Sequence, residues 1–100
     1  MSDRIGRVVT FEGDVQGVGF RATCVAAASN LVVFGTVANR GDGSVRLDVE
    51  GPPIDVDRLL SRISRQMRHH IREQHIEKRQ PAIQSADGSS PPSPGIRIIG

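Results

Sequence analysis

Gly13, Gly17 and Gly19 crowd into the stretch GDVQGVGFR at residues 13–21, which Phe20 and Arg21 close. Glycines allow a backbone to turn with positive φ, so consecutive N–H groups can point inward and make a concave anion site. A helix beginning directly after such a loop adds unpaired N–H groups and the positive end of its dipole. Arg21 would bring a guanidinium to the same place, with a planar fork suited to phosphate oxygens. Together these groups describe an anion cradle. Glycine-rich turns between strand and helix also serve packing alone, so the loop by itself leaves both readings open.

The flanking sequence supplies the elements that would hold the loop. Gly6–Glu12 reads as a strand with Val9 and Phe11 on one side and Val8 and Thr10 on the other. Phe20–Asn30 reads as a helix whose inner face is Phe20, Cys24, Ala27, Ala28 and Leu31, mostly small residues that let the helix lie close to a sheet. From Val33 the period becomes two, and Val45, Leu47 and Val49 repeat it after the turn Gly41-Asp42-Gly43, which makes a hairpin. Pro52 and Pro53 introduce a second helix with the stripe Val56, Leu59, Leu60, Ile63 and Met67, expected to end near His69 or His70. Ile71–Arg79 fits an edge strand limited by Pro81, Ser85–Gly95 a mobile Ser/Pro/Gly loop, and Ile96–Ile99 a short closing strand. With right-handed crossovers this order gives a ferredoxin-like α+β sandwich, βαββαβ plus a short strand, with both helices on one face of an antiparallel sheet.

The bulk properties set limits on function. One hundred residues, 37% hydrophobic, make a single domain over residues 1–100 with one core. The net charge of +2 with charges of both signs does not demand a polyanionic partner. Cys24 is the only cysteine, which excludes an intramolecular disulfide. No apolar run approaches membrane-spanning length and Met-Ser-Asp-Arg does not begin a signal peptide, so a soluble cytoplasmic protein is expected.

VQGVGFR at Val15–Arg21, followed by GTVANRGDGSVRLDVEG at Gly35–Gly51, closely resembles the acylphosphatase family. The resemblance is strong from about Val8 to Leu60, and afterwards rests on the order of elements and on GIRI near the end. It implies hydrolysis of the carboxyl-phosphate anhydride of a small-molecule acyl phosphate by a monomer that uses no cofactor and no metal. It also implies the site. Gln16, Gly17, Val18, Gly19 and Phe20 would offer backbone N–H groups to phosphate, Arg21 would clamp its oxygens, and Asn39 would hold the attacking water. An amide takes no proton at neutral pH, so the role implied for Asn39 is orientation through its carbonyl. On its own, Asn39 could equally start the Arg40-Gly41-Asp42-Gly43 turn. Its position at the end of the second strand supports the site reading if the first two strands are parallel neighbours, because both groups then emerge at one edge.

The chain departs from the family pattern in places. Ala22 and Thr23 stand where aromatic residues are usual, Thr36 precedes Val37 where an aromatic is frequent, and Val32 follows Leu31 where the family places glycine. A β-branched residue tolerates positive φ poorly, so Asn30 is the residue expected to make the left-handed turn after the helix. These changes bear on stability and on the acyl pocket and spare the phosphate site.

The alternatives are a non-catalytic phosphate-binding or regulatory domain of the same fold, and a basic RNA-binding domain. Arg58, Arg62, Arg65, Arg68 and Arg72 recur at helical spacing, with His69, His70 and His75 nearby. A solvated helix face explains that ridge. RNA-recognition modules of this fold stack bases on strand aromatics, and with three Phe, no Tyr and no Trp this chain lacks that platform. Adjacent histidines do not converge on one ion and no carboxylate cluster is apparent beside them, so no metal site is expected. Cys24, on the apolar helix face, is expected to be a core residue rather than a nucleophile.

Overall fold

The computed structural model describes residues 3–82 and 93–100. Seven elements follow the chain: β1 (Ile5–Gly13), α1 (Phe20–Ala27), β2 (Phe34–Asn39), β3 (Val45–Gly51), α2 (Pro53–Gln66), β4 (Ile71–Arg79) and β5 (Gly95–Ile98). The strands form one sheet in the order β4-β1-β3-β2-β5. α1 packs on β2, β5 and α2, and α2 packs on β3, which gives the α+β sandwich expected from the order of elements.

The alternation read in the sequence is the alternation that buries. Val9 and Phe11 of β1, Val37 of β2, and Val45, Leu47 and Val49 of β3 are fully buried on the helix side of the sheet. They meet Phe20, Cys24 and Ala27 of α1 and Val56, Leu59 and Ile63 of α2. Pro53 occupies the first turn of α2, where its fixed φ and missing N–H cost nothing.

Three expectations need correction. The sheet is mixed, because β5 pairs with β2 in parallel (Phe34↔Gly95 to Val37↔Ile98) while every other pair is antiparallel. β1 and β2 run in the same direction but are not neighbours, since β3 lies between them and pairs antiparallel with both. Their C-terminal ends nevertheless share one edge. Both helices are shorter than their apolar periods suggest: α1 stops at Ala27 and α2 at Gln66, while Leu31 and Met67 remain buried in the turns that follow. The turn after α1 does pass through Asn30, whose φ is 65°, the only positive φ at a non-glycine among the described residues. The Ser/Pro/Gly-rich stretch 85–95 lies, up to residue 92, outside the described residues.

Candidate functional site

The loop leaves β1 at a register shift between Glu12 and Gly13, and its first turn is tied down by the Asp14 N–H donating to the His70 carbonyl at 2.9 Å. Val15 is buried, so the loop has an apolar foot in the core. Gly17 and Gly19 take φ of 78° and 79°, conformations that cost an L side chain about 1–2 kcal/mol. Gly19 is the N-cap of α1, and its carbonyl receives both the N–H and the hydroxyl of Thr23 at 2.9 Å. Phe20 plugs the loop's far end into the core, its ring centroid 4.8 Å from that of Phe11. Between these anchors, the N–H groups of Gln16 to Phe20 donate to no acceptor among the described residues.

Arg21 and Asn39 reach the same place from opposite sides. A cavity of about 300 Å³ is lined by Val15, Gly17, Gly19, Phe20, Arg21, Ala22, Asn39 and Ile98. The Asn39 N–H donates to the Gly100 backbone oxygen at 3.0 Å, and Arg21 Nη1 donates to the same oxygen at 2.6 Å. One backbone oxygen thus links β2 to the guanidinium and leaves most of its five N–H donors available. The side-chain oxygen of Asn39, Oδ1, is buried and has no hydrogen-bond partner among the described residues. A buried carbonyl oxygen without a donor is costly unless something else supplies one.

Gln16 and Val18 contribute differently from Gly17 and Gly19. The Gln16 side chain turns away from the cavity and donates Nε2 to the carbonyls of Arg40 at 2.7 Å and Ser44 at 2.9 Å. It thereby straps the loop to the hairpin that follows Asn39. That hairpin is held by Asp42, whose Oδ1 accepts from the Ser44 N–H at 3.0 Å and hydroxyl at 2.6 Å. The Ser44 hydroxyl bond is the main cause, and the Ser44 N–H the next, of a carboxyl held below its ordinary value. Val18 stands at the exposed tip of the loop. Neither the Gln16 strap nor the Gly100 bridge could be read from spacing, because both join segments distant in sequence.

Other titratable groups lie apart from this cavity. Cys24 is buried, and loss of water pushes its thiol up to about 12, so it is a core residue and not a thiolate. Arg62 leaves the solvated face expected for it and donates to the carbonyls of Ala27 at 2.9 Å and Ser29 at 3.0 Å, past the end of α1. His75 does not join His69 and His70. The β1–β4 pairing sets it beside Glu12 and Glu73, with Nε2 at 2.8 and 3.3 Å from their carboxylates. These three side chains could present ligand atoms to one cation. The sequence reading missed the carboxylates because they meet His75 only across the strand pairing.

The comparisons with known proteins bear on the family and the fold. The sequence profile of the acylphosphatase family matches residues 7–88. An acylphosphatase of Rhizorhabdus wittichii is 44% identical over 63% of this chain and 64% of its own length, and one of Burkholderia vietnamiensis is 39% identical over 71% and 79%. The chain thus spans just under two thirds of the first of these relatives. In three dimensions it superposes on the crystal structure of acylphosphatase from Bacillus subtilis with a TM-score of 0.72, at 20% identity over 96% of this chain and 99% of that one. Full-length HypF contains the same fold in 12% of its chain, with a TM-score of 0.75 and 21% identity. The profile match over most of its residues means that the chain belongs to the acylphosphatase family.

Proposed function

We propose that this protein hydrolyses acyl phosphates to a carboxylate and inorganic phosphate. The observation that carries the reading is the convergence of Gly17, Gly19 and Phe20 of the loop, Arg21 and Asn39 on one cavity. The loop amides of Gln16 to Phe20 and the Arg21 guanidinium hold the phosphate oxygens and stabilise the charge they carry in a loose, in-line transition state. Asn39 Oδ1 accepts a hydrogen bond from the attacking water, which aims its lone pair at phosphorus. The water oxygen forms the new P–O bond, and the bond to the acyl oxygen breaks with its electron pair leaving on the carboxylate. One proton stays on the new hydroxyl and the other passes to a phosphate oxygen or to solvent.

A carboxylate is a good leaving group, so placement and charge are the main demands, and the described residues that line the cavity offer no carboxylate, imidazole or thiol side chain. One chain supplies every group named, and the reading takes the protein as a monomer working in the cytoplasm.

The test is hydrolysis of benzoyl phosphate with EDTA present. Arg21→Ala and Asn39→Ala should each lower kcat by about a hundredfold or more in protein that remains folded by circular dichroism. Folded wild type that binds inorganic phosphate through Arg21 without turnover would overturn the enzyme reading in favour of a phosphate-binding domain.

A further inference from the structure

Once phosphate and water have taken the loop amides, Arg21 and Asn39, the remaining lining of the cavity is apolar. Ile98 lies on β5 one alternation beyond buried Ile96, opposite Val37, and so faces the helix side of the sheet. It is nevertheless 48% exposed. Ala22, exposed in the first turn of α1, lines the same cavity with only a methyl group. The mouth of the site is therefore a strip of bare hydrocarbon between α1 and β5.

Among the described residues, Arg21 is the one charged side chain that lines the cavity, and its partners are the Gly100 backbone oxygen and, in the reading above, the phosphate. Arg40, Arg46 and Asp48, on β2, β3 and their turn, line a second hollow with Thr36, Ala38 and Ile99 that meets the site cavity only at Asn39. In the β2–β3 pairing Ala38 meets Arg46 and Thr36 meets Asp48, one alternation off the pairs Val37–Leu47 and Asn39–Val45, so these charges lie on the opposite face of the sheet.

We propose that the acyl half of the substrate lies along the wall formed by Ala22 and Ile98, and that this wall selects uncharged, apolar acyl groups. The inference rests on the acylphosphatase reading and adds the substrate class to it. An apolar acyl chain gains by covering exposed Ile98, about fourfold in affinity for each methylene fully removed from water and about twofold on a half-open wall. A second carboxylate on the acyl chain would give up water against methyl groups with no partner in return.

The experiment compares kcat/KM for acetyl, butanoyl, benzoyl and succinyl phosphates. Butanoyl and succinyl phosphates differ by a terminal methyl against a carboxylate, so their ratio isolates the effect of the added charge. Wild type should favour butanoyl over succinyl phosphate by about tenfold or more. Ile98→Lys should cut that ratio by about tenfold, and Ala22→Lys, at an exposed helical position, sets the same charge on the same wall should the first variant fail to fold. Equal or faster turnover of succinyl phosphate by wild type, or a ratio indifferent to a folded lysine variant, overturns the inference and leaves the hydrolase intact. Turnover of none of the four overturns both.

Discussion

At the scale of single residues, Gln16 shows how a motif position can act through its side chain as well as its backbone. Its Nε2 holds the carbonyls of Arg40 and Ser44, and so sets the hairpin beginning at Asn39 against the loop that ends in Arg21. Gln16→Glu replaces the donor by an acceptor facing two carbonyl oxygens and should release the hairpin. We expect kcat for an acyl phosphate to fall about tenfold or more, because small misplacements of a positioned nucleophile are expensive, while inhibition by inorganic phosphate changes little. Steady-state kinetics with phosphate as competitor separate the two effects, and an unchanged kcat would show that Gln16 does not position Asn39. Arg21 and Asn39 could be named from the sequence through their motifs, and Gly17 and Gly19 through the positive φ the loop requires. The Gln16 strap was not visible, since a side chain's partner depends on which turn the fold brings beside it.

Among the elements, periodicity identified β1, β2, β3 and both helices and most of what they bury, because burial of one face is what the pattern records. It overstated helix lengths. An apolar residue can stay in the core after its helix has ended, as Leu31 and Met67 do, so the hydrophobic period outruns the hydrogen-bonded one. How α1 ends was only half legible: Asn30 takes the left-handed turn as expected, but the carbonyls of Ala27 and Ser29 are met by Arg62 of α2. A cation donating to carbonyls at a helix C-terminus satisfies acceptors and complements the dipole. Arg62→Met, which keeps the apolar stem, should therefore lower stability by about 1–2 kcal/mol with kcat retained in the folded protein. Urea denaturation measures it. A loss equal to that of the exposed Arg65→Met would mean that the bonds to Ala27 and Ser29 contribute nothing.

For the whole molecule, strand order matters most. The β4-β1-β3-β2-β5 sheet sends β1 and β2 the same way with β3 between them, and so delivers Arg21's loop and Asn39 to one edge. The same order joins β1 to β4 and places His75 beside Glu12 and Glu73. The hydrogen bond to Glu12, then the charges of Glu12 and Glu73, raise His75 above its ordinary value of 6.5. A folded state that binds a proton more tightly than the unfolded chain gains stability below the unfolded value and loses it as pH rises through the raised one. Wild type should thus exceed His75→Gln in denaturation midpoint at about pH 6 and match it at about pH 8.5. A gap independent of pH would mean that the imidazole packs there without its charge mattering. By itself the sequence determined the elements, their buried faces, the glycine-rich loop and the family, because these follow from local spacing and from motifs written within short segments. Only the tertiary structure decided that β5 pairs in parallel with β2, that Gly100 bridges Arg21 and Asn39, and that Ile98 faces the site. Each of these depends on which strand lies next to which, a choice made by packing the whole sheet against two helices and carried by no short stretch of residues.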